Sequence, residues 1–378
     1  MSEEATISVI QQSPLHDAHV RSGAQLREQD GCLVPASYGD SEVEYRAVRE
    51  SHSAGLIDLS SRGRIELEGA EVVQFLNGMI TNDVKALAVG AWMLAAFPNV
   101  QGRLIAFARV LRLDENSFLL DTEAPTHERV RSALERFTLA GDFRVRDLTH
   151  ETAHLSLQGT QAQEIVATTF GKQAAQLERG KVVNIEWQGA QLNLIRATHT
   201  GENGFDVFAS ADKAATLWQA FVGAGAHPVG FDALEILRVE AGIPRYGADM
   251  DETNVVLETG SDEAISYTKG CYVGQEIIAR IHWRGHVARR LAGLNFVDAN
   301  AKAEVGDKLQ SIDGKDVGRI TSTIFSPVLN RQLALAHVRY AYLAPDTEVK
   351  VLTANGELGA RVTELPFVRG SWQENVKT

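Results

Sequence analysis

Two cysteines in 378 residues, Cys32 and Cys271, leave no room for a disulfide framework or a zinc ribbon, and so point to a reducing, cytoplasmic setting. Long apolar runs are missing too. The longest, Ala86 to Phe97, stops well short of the ~20 residues that cross a bilayer and is closed by Pro98 and Asn99, so it reads as a buried strand or core segment. No positively charged leader opens the chain; MSEEATISVI carries two glutamates and no apolar stretch follows, so no membrane association is expected. Positive charge is scarce overall, with 37 Lys and Arg against 49 Asp and Glu, a formal charge of −12. Polyanion affinity comes mainly from phosphate neutralisation, so any RNA contact must be local. The sequence also lacks GxxxxGK[ST], GxGxxG after a strand, HExxH and GxSxG, which argues against nucleotide hydrolysis, dinucleotide redox, zinc proteolysis and serine hydrolysis. The eleven histidines are scattered, and no metal site is expected.

What is present is an ordinary globular composition, 44% apolar and 23% charged, long enough for two or three cores. Arg64 to Leu67 alternates as a strand, Gly69 breaks it, and Val72, Phe75, Leu76 and Met79 fall on one helical face. The same unit returns 90 positions later at Leu155, Leu157 and Gly159, a weak internal repeat. Strands Leu104 to Leu113 and Ser117 to Leu120 flank the turn Asp114-Glu115-Asn116, and Thr126 is placed to cap a helix bearing Val130, Leu134 and Phe137. Strands near Leu192 to Ile195 and Phe205 to Phe208 precede a helix ending at Gly223. Asp232 and Glu235 have the spacing of a capping box. From about Val287 onward, short apolar runs separated by Asp313-Gly314 and Asn355-Gly356 predict a small all-β domain. The fold class expected is α+β.

Three constellations carry possible chemistry. In Lys269-Gly270-Cys271-Tyr272-Val273-Gly274-Gln275-Glu276, two glycines bracket a cysteine whose thiol Lys269 could activate, although a lone cysteine is more often a small buried apolar residue. In ARIHWRGHVARR, Arg280, Arg284, Arg289 and Arg290 accompany His282, Trp283 and His286 without an acid; this is a phosphate, polyanion or RNA contact, or, if a strand, a solvated edge. In Thr200-Gly201-Glu202-Asn203-Gly204, a turn presents a carboxylate that could grip a flat heterocycle or simply face solvent.

SPLHDAHV, YGD, EYRAVRESHSAGLIDLS, FLNGMITNDV, TGENGFDV, ALEILRVEAGIPRYGADMDE and ITSTIFSPVLNRQLALAHV, in this order, resemble the glycine cleavage T-protein (aminomethyltransferase) superfamily nearly end to end. KGCYVGQE resembles the signature of its YgfZ-like folate-binding branch, whose members assist iron-sulfur proteins. The resemblance implies two interleaved α/β subdomains over residues 1–286 forming a ring around a folate pocket, and a C-terminal β-barrel over 287–378. It implies tetrahydrofolate or a one-carbon derivative as cofactor, held by Glu202, Asn82, Arg238 and Tyr246. It also implies a functional thiol, Cys271, at the pocket mouth in a Lys269-assisted turn, within the signature Lys269, Gly270, Cys271, Tyr272, Gly274, Gln275 and Glu276. True aminomethyltransferases of this type carry a pair of aspartates where this chain has Ala106 and Phe107, with Asp114 too far along to substitute, and an arginine where it has Leu234. The function so implied is a monomeric folate-binding accessory factor supporting iron-sulfur cluster assembly or repair in client enzymes, including tRNA-modifying ones, with a weak tRNA contact through Arg280 and Arg284. The competing reading is a folate-dependent aminomethyltransferase or demethylase.

Overall fold

The computed structural model describes residues 10–139 and 141–374, so the N-terminal residues read above lie almost wholly outside it. Two antiparallel sheets share the first two thirds of the chain, and their strands are interleaved in sequence. One sheet has the order Ala91–Pro98, Leu104–Asp114, Ser117–Thr122, Gly63–Glu68, Arg144–Asp147. The other runs Val182–Trp187, Ala190–Arg196, Gly204–Ser210, Thr152–Gln158, Gly55–Asp58, His227–Pro228, with only the last pair parallel. Gly55–Asp58 precedes every strand of the first sheet yet pairs with Thr152–Gln158, register Leu155 opposite Asp58. That pairing locks the two units together.

The internal repeat is structural. In each unit a strand ends in a glycine, Gly69 (φ +144°) or Gly159 (φ +131°), and a helix follows, Val72–Met79 or Ala162–Phe170. A Cβ at Gly69 would stand 2.3 Å from the Asp142 carbonyl oxygen, and at Gly159 2.8 Å from that of Ser53, so backbone approaches too closely for any side chain. The apolar faces read from periodicity go inward: Ile65, Leu67, Val72 and Leu76 join one core, and Leu155, Leu157, Ile165 and Val166 the other. Each such fully buried side chain contributes about 1.5–3 kcal/mol.

Residues Arg289–Phe296, Arg331–Arg339, Asp316–Ser326, Lys308–Ser311, Glu348–Thr353 and Gly356–Thr363 close into a six-stranded barrel with its own core, including Leu294, Ile320, Val338 and Val351. No described helix is long and apolar enough to cross a membrane.

Three local expectations differ from what is found. Thr126 precedes the helix His127–Glu135, but its hydroxyl donates back to the Glu123 carbonyl (2.9 Å) and caps nothing. Asp232 and Glu235 form no capping box, because the helix Phe231–Glu240 starts from Gly230 and their carboxylates pair with Arg27 and Arg238. The basic strip is not one strand: Arg280 and Arg284 lie on the helix Gln275–Arg284, where Ile277, Ile278 and Ile281 recur at helical spacing and Ile278 is buried, while Arg289 and Arg290 open the barrel strand Arg289–Phe296.

Candidate functional site

Where the two sheets, the helix Phe231–Glu240 and the barrel meet, they enclose a cavity of about 1330 Å³. Period-two alternation decides what the strand Leu104–Asp114 offers it. Ala106 and Val110 point into the core of their own sheet, while Phe107 and Arg109 turn to the chamber. A carboxylate at 106 would stand in apolar core; one at 107 would face the chamber, where the chain has a phenyl ring. The helix Phe231–Glu240 presents Phe231, Leu234, Glu235 and Arg238 on one face, spaced one and two turns apart, and Trp92, Tyr246 and Met250 complete the apolar wall.

Opening onto the chamber through Arg62, Arg109 and His199 is a buried charge network joining the two sheets. Arg62 donates to Asp121 (2.7 and 3.0 Å), and Arg109 to Asp206 (2.6 Å). His199 Nε2 and His154 Nε2 stand 2.9 and 3.1 Å from the same Asp206 oxygen. Two guanidiniums balance two carboxylates, as burial demands. Although burial alone would raise them, Arg62, His154 and Arg109 hold Asp121 below its ordinary value, and His199, His154 and Arg109 hold Asp206 well below. Burial also pushes His199 down to about 4, against the pull of Asp206. His199 is therefore neutral in the fold and takes up its proton readily only on unfolding, so the unfolded state binds more protons between pH 6.5 and 4 and stability falls as pH drops through that window. Urea denaturation at pH 7 and pH 4.5 should show about 2–3 kcal/mol lost to this one group. His199→Gln should flatten that slope, and an unchanged slope would place the titration elsewhere.

One chamber carboxyl is differently placed. Glu123, just past the strand Ser117–Thr122, accepts the Tyr246 backbone N–H at 3.0 Å and forms no ion pair among the described residues. Burial raises its affinity for a proton, only partly offset by Arg62 and the Tyr246 N–H.

The residues singled out in the sequence are not all brought together. Arg238 and Tyr246 line the chamber. Arg238 is pinned by Asp249 and Glu235, and the Tyr246 phenol, raised by burial to about 12, meets Glu252 (3.1 Å) and Arg129 (2.9 Å). Asn82 stands one residue behind the wall, donating to the carbonyls of Leu94 (2.8 Å) and Glu263 (3.0 Å), both of which line it. Glu202 is off the wall. Its carboxylate accepts from Arg49 (2.7 Å) and from the backbone N–H and hydroxyl of Ser371 (2.8 and 2.6 Å), so the C-terminal segment covers it. Gly370 permits that closeness, since a Cβ there would lie 2.4 Å from the Gly201 carbonyl oxygen.

None of the signature residues lines the chamber, although Tyr272 packs in one buried cluster with the wall residues Phe107, Tyr246 and Met250. Lys269 does not serve the thiol: its Nζ donates to the carbonyls of Asn77 (2.6 Å), Ile80 (2.8 Å) and Asn82 (2.7 Å), closing the C-terminal end of the helix Val72–Met79. Burial pushes this ammonium down to about 8. Tyr272 is buried, and Gly274 (φ +76°) starts the helix Gln275–Arg284 against Asn99, whose carbonyl oxygen a Cβ would meet at 2.4 Å. Gly270 and Glu276 are exposed, and Gln275 donates weakly to the Gly270 carbonyl (3.4 Å). Cys271 is exposed. Arg280 and Arg284 are exposed on the helix, with His282 stacked on Tyr267 (3.6 Å between centroids).

Arg62, Arg109, Glu123 and His199 escaped the sequence reading, because each reaches the chamber from a different strand or turn. The one signal for Glu123 was an acid wedged between a strand end and Pro125.

Residues 15–269 match the GCVT N-terminal domain, and 289–369 match the Glycine cleavage T-protein C-terminal barrel domain. An aminomethyltransferase of Symbiobacterium thermophilum is 33% identical over 372 residues, covering 95% of this chain and 98% of its own. That of Geobacillus kaustophilus is 30% identical over 367 residues, covering 96% and 99%. The crystal structure of glycine cleavage system aminomethyltransferase T from Bartonella henselae superposes with a TM-score of 0.87 at 24% identity, over 95% of this chain and 98% of that one, a likeness of fold.

Proposed function

Because the chain belongs to the glycine cleavage T-protein family, whose aminomethyltransferases use tetrahydrofolate, we propose that it binds a reduced folate in the central chamber and carries out one-carbon transfer of the aminomethyltransferase type. The observation that carries this reading is the chamber itself. It is built by both sheets and the barrel, is walled by Trp92, Phe107, Phe231 and Tyr246, and is rimmed by arginines. Those groups suit a flat heteroaromatic ring with an anionic tail. The ring would lie among the aromatic residues, and Glu123, the chamber carboxyl that is partly buried and without an ion pair among the described residues, is placed to exchange a proton there. A bound reduced folate supplies the nitrogens that carry the one-carbon unit.

Two observations favour a second reading, in which the protein binds folate without transferring an aminomethyl group and serves iron-sulfur clients, Cys271 being the contact. The strand that would bring an acid to the chamber brings Phe107, and the signature loop leaves its thiol exposed. One thiol holds no cluster alone, since clusters take about four protein ligands, so this role would be shared with a partner.

Incubation with aminomethylated lipoyl carrier protein and tetrahydrofolate separates the two. Methylenetetrahydrofolate is the expected product. No product from protein that binds tetrahydrofolate by calorimetry would leave the accessory role standing; no folate binding at all would end both.

A further inference from the structure

Six arginines line the chamber, and five of them have a carboxylate partner: Arg62 with Asp121 (2.7 Å), Arg109 with Asp206 (2.6 Å), Arg238 with Asp249, Arg245 with Glu235 (3.4 Å) and Arg290 with Asp262 (2.6 Å). Arg179 has none among the described residues. It is nonetheless held firmly. Its guanidinium lies 3.8 Å from the centre of the Trp372 ring and donates one N–H to the Trp372 carbonyl, leaving its remaining donors unclaimed by any acid. Trp372 is fixed in turn, since its backbone N–H donates to the Gly201 carbonyl (3.1 Å) and its neighbour Ser371 is bound to Glu202. A second arginine without a carboxylate partner among the described residues, Arg196, stands 5.9 Å from the centre of the same Trp372 ring and donates to the Asn203 amide oxygen (2.8 Å). In a chain of net charge −12, this corner of the chamber carries uncompensated positive charge. Burial and the neighbouring Arg196 both make the Arg179 proton harder to hold, as two cations without a counter-ion should.

We infer that Arg179 is an anion subsite of the chamber, which takes a carboxylate of the glutamyl tail of a bound folate while the ring lies against the aromatic wall. The inference rests on the folate reading above. A planar guanidinium already stacked on an indole loses little freedom on binding and offers paired N–H donors that match a carboxylate. It would favour glutamylated folates over tail-less ones, and its contribution should weaken with salt.

Calorimetry with tetrahydrofolate and with tetrahydropteroate, which lacks the glutamyl tail, tests it on the full chain and on Arg179→Gln and Arg179→Lys. Wild type should bind tetrahydrofolate about tenfold more tightly than tetrahydropteroate. Arg179→Gln should erase that difference while binding tetrahydropteroate as wild type does, and Arg179→Lys should keep part of it. Equal affinity of wild type for both ligands, or an Arg179→Gln variant that weakens both alike, overturns the subsite and leaves folate binding intact. Failure of wild type to bind either ligand overturns the folate reading, and the subsite with it.

Discussion

Glu123→Gln should cut methylenetetrahydrofolate formation by about two to four orders of magnitude while leaving the fold and the affinity for reduced folate within a few-fold, because general acid or base catalysis by one placed group contributes about 10²–10⁴-fold. The substitution is nearly isosteric. A glutamine oxygen can still accept the Tyr246 N–H that now lies 3.0 Å from the carboxylate, so the wall keeps its shape. What is lost is the exchangeable proton. Burial raises the carboxyl above its ordinary range, and Arg62 and the Tyr246 N–H offset this only in part. It therefore stays protonated to higher pH than a surface glutamate, nearer the pH at which a proton-transferring group is most useful. The rate should accordingly show a limb that follows this carboxyl and is absent from the glutamine variant. Wild-type turnover in Glu123→Gln would make it a wall residue only. Phe107→Asp offers the converse test: a carboxylate facing the chamber should restore part of the rate lost in Glu123→Gln.

The elements legible in the sequence were those fixed by local chemistry. The strand, glycine and helix units at Gly69 and Gly159 showed because only glycine tolerates such backbone contact, and the hairpin at Asp114-Glu115-Asn116 showed through its turn residues. Caps were harder to read. Asp232 has the right spacing, but Arg27, 205 residues away in sequence, takes its carboxylate instead. In the basic strip the charges carried no period that separates strand from helix; Ile277, Ile278 and Ile281 carried the helical one. The chamber was the least legible part. Phe107 and Arg109 were separable from Ala106 and Val110 by alternation, yet nothing local told which face would meet a second sheet. Glu202 lay in a recognisable motif, but the segment that covers it, Gly370 to Trp372, is about 170 residues away. Motif residues marked the family; the partners that determine their present roles came from topology.

Asp249 illustrates that dependence with a measurable consequence, since one buried carboxylate ties the barrel to the rest of the chain. It is 1% exposed, and its two oxygens accept from Arg238 on the helix Phe231–Glu240, from the Arg245 backbone N–H (3.1 Å), and from the hydroxyls of Thr321 (2.6 Å) and Ser322 (2.7 Å) on the barrel strand Asp316–Ser326. Its carbonyl oxygen meets His337 Nε2 at 2.8 Å. Asp249→Ala would leave the Arg238 guanidinium, 4% exposed, with Glu235 as its carboxylate, and would remove the acceptor of the Ser322 hydroxyl and the nearer of the two acceptors of Thr321. Removing one partner of a buried pair costs about 3–5 kcal/mol where the remaining charge is stranded; Glu235 keeps a carboxylate beside Arg238, so the loss should lie near the lower end, about 3 kcal/mol. Urea denaturation should record a loss of that size. Folate affinity should fall as well, because Arg238 and the barrel residues Leu291 and Ala292 line the same chamber. The cost should not be additive: Arg238→Met combined with Asp249→Leu removes both charges, and the adjoining apolar contact of Val239 with Leu291, Ile324 and Leu335 can extend into the vacated space. The double variant should therefore be more stable than Asp249→Ala. If Asp249→Ala loses less than about 1 kcal/mol, the other barrel contacts suffice to hold it in place and the carboxylate clamp is dispensable.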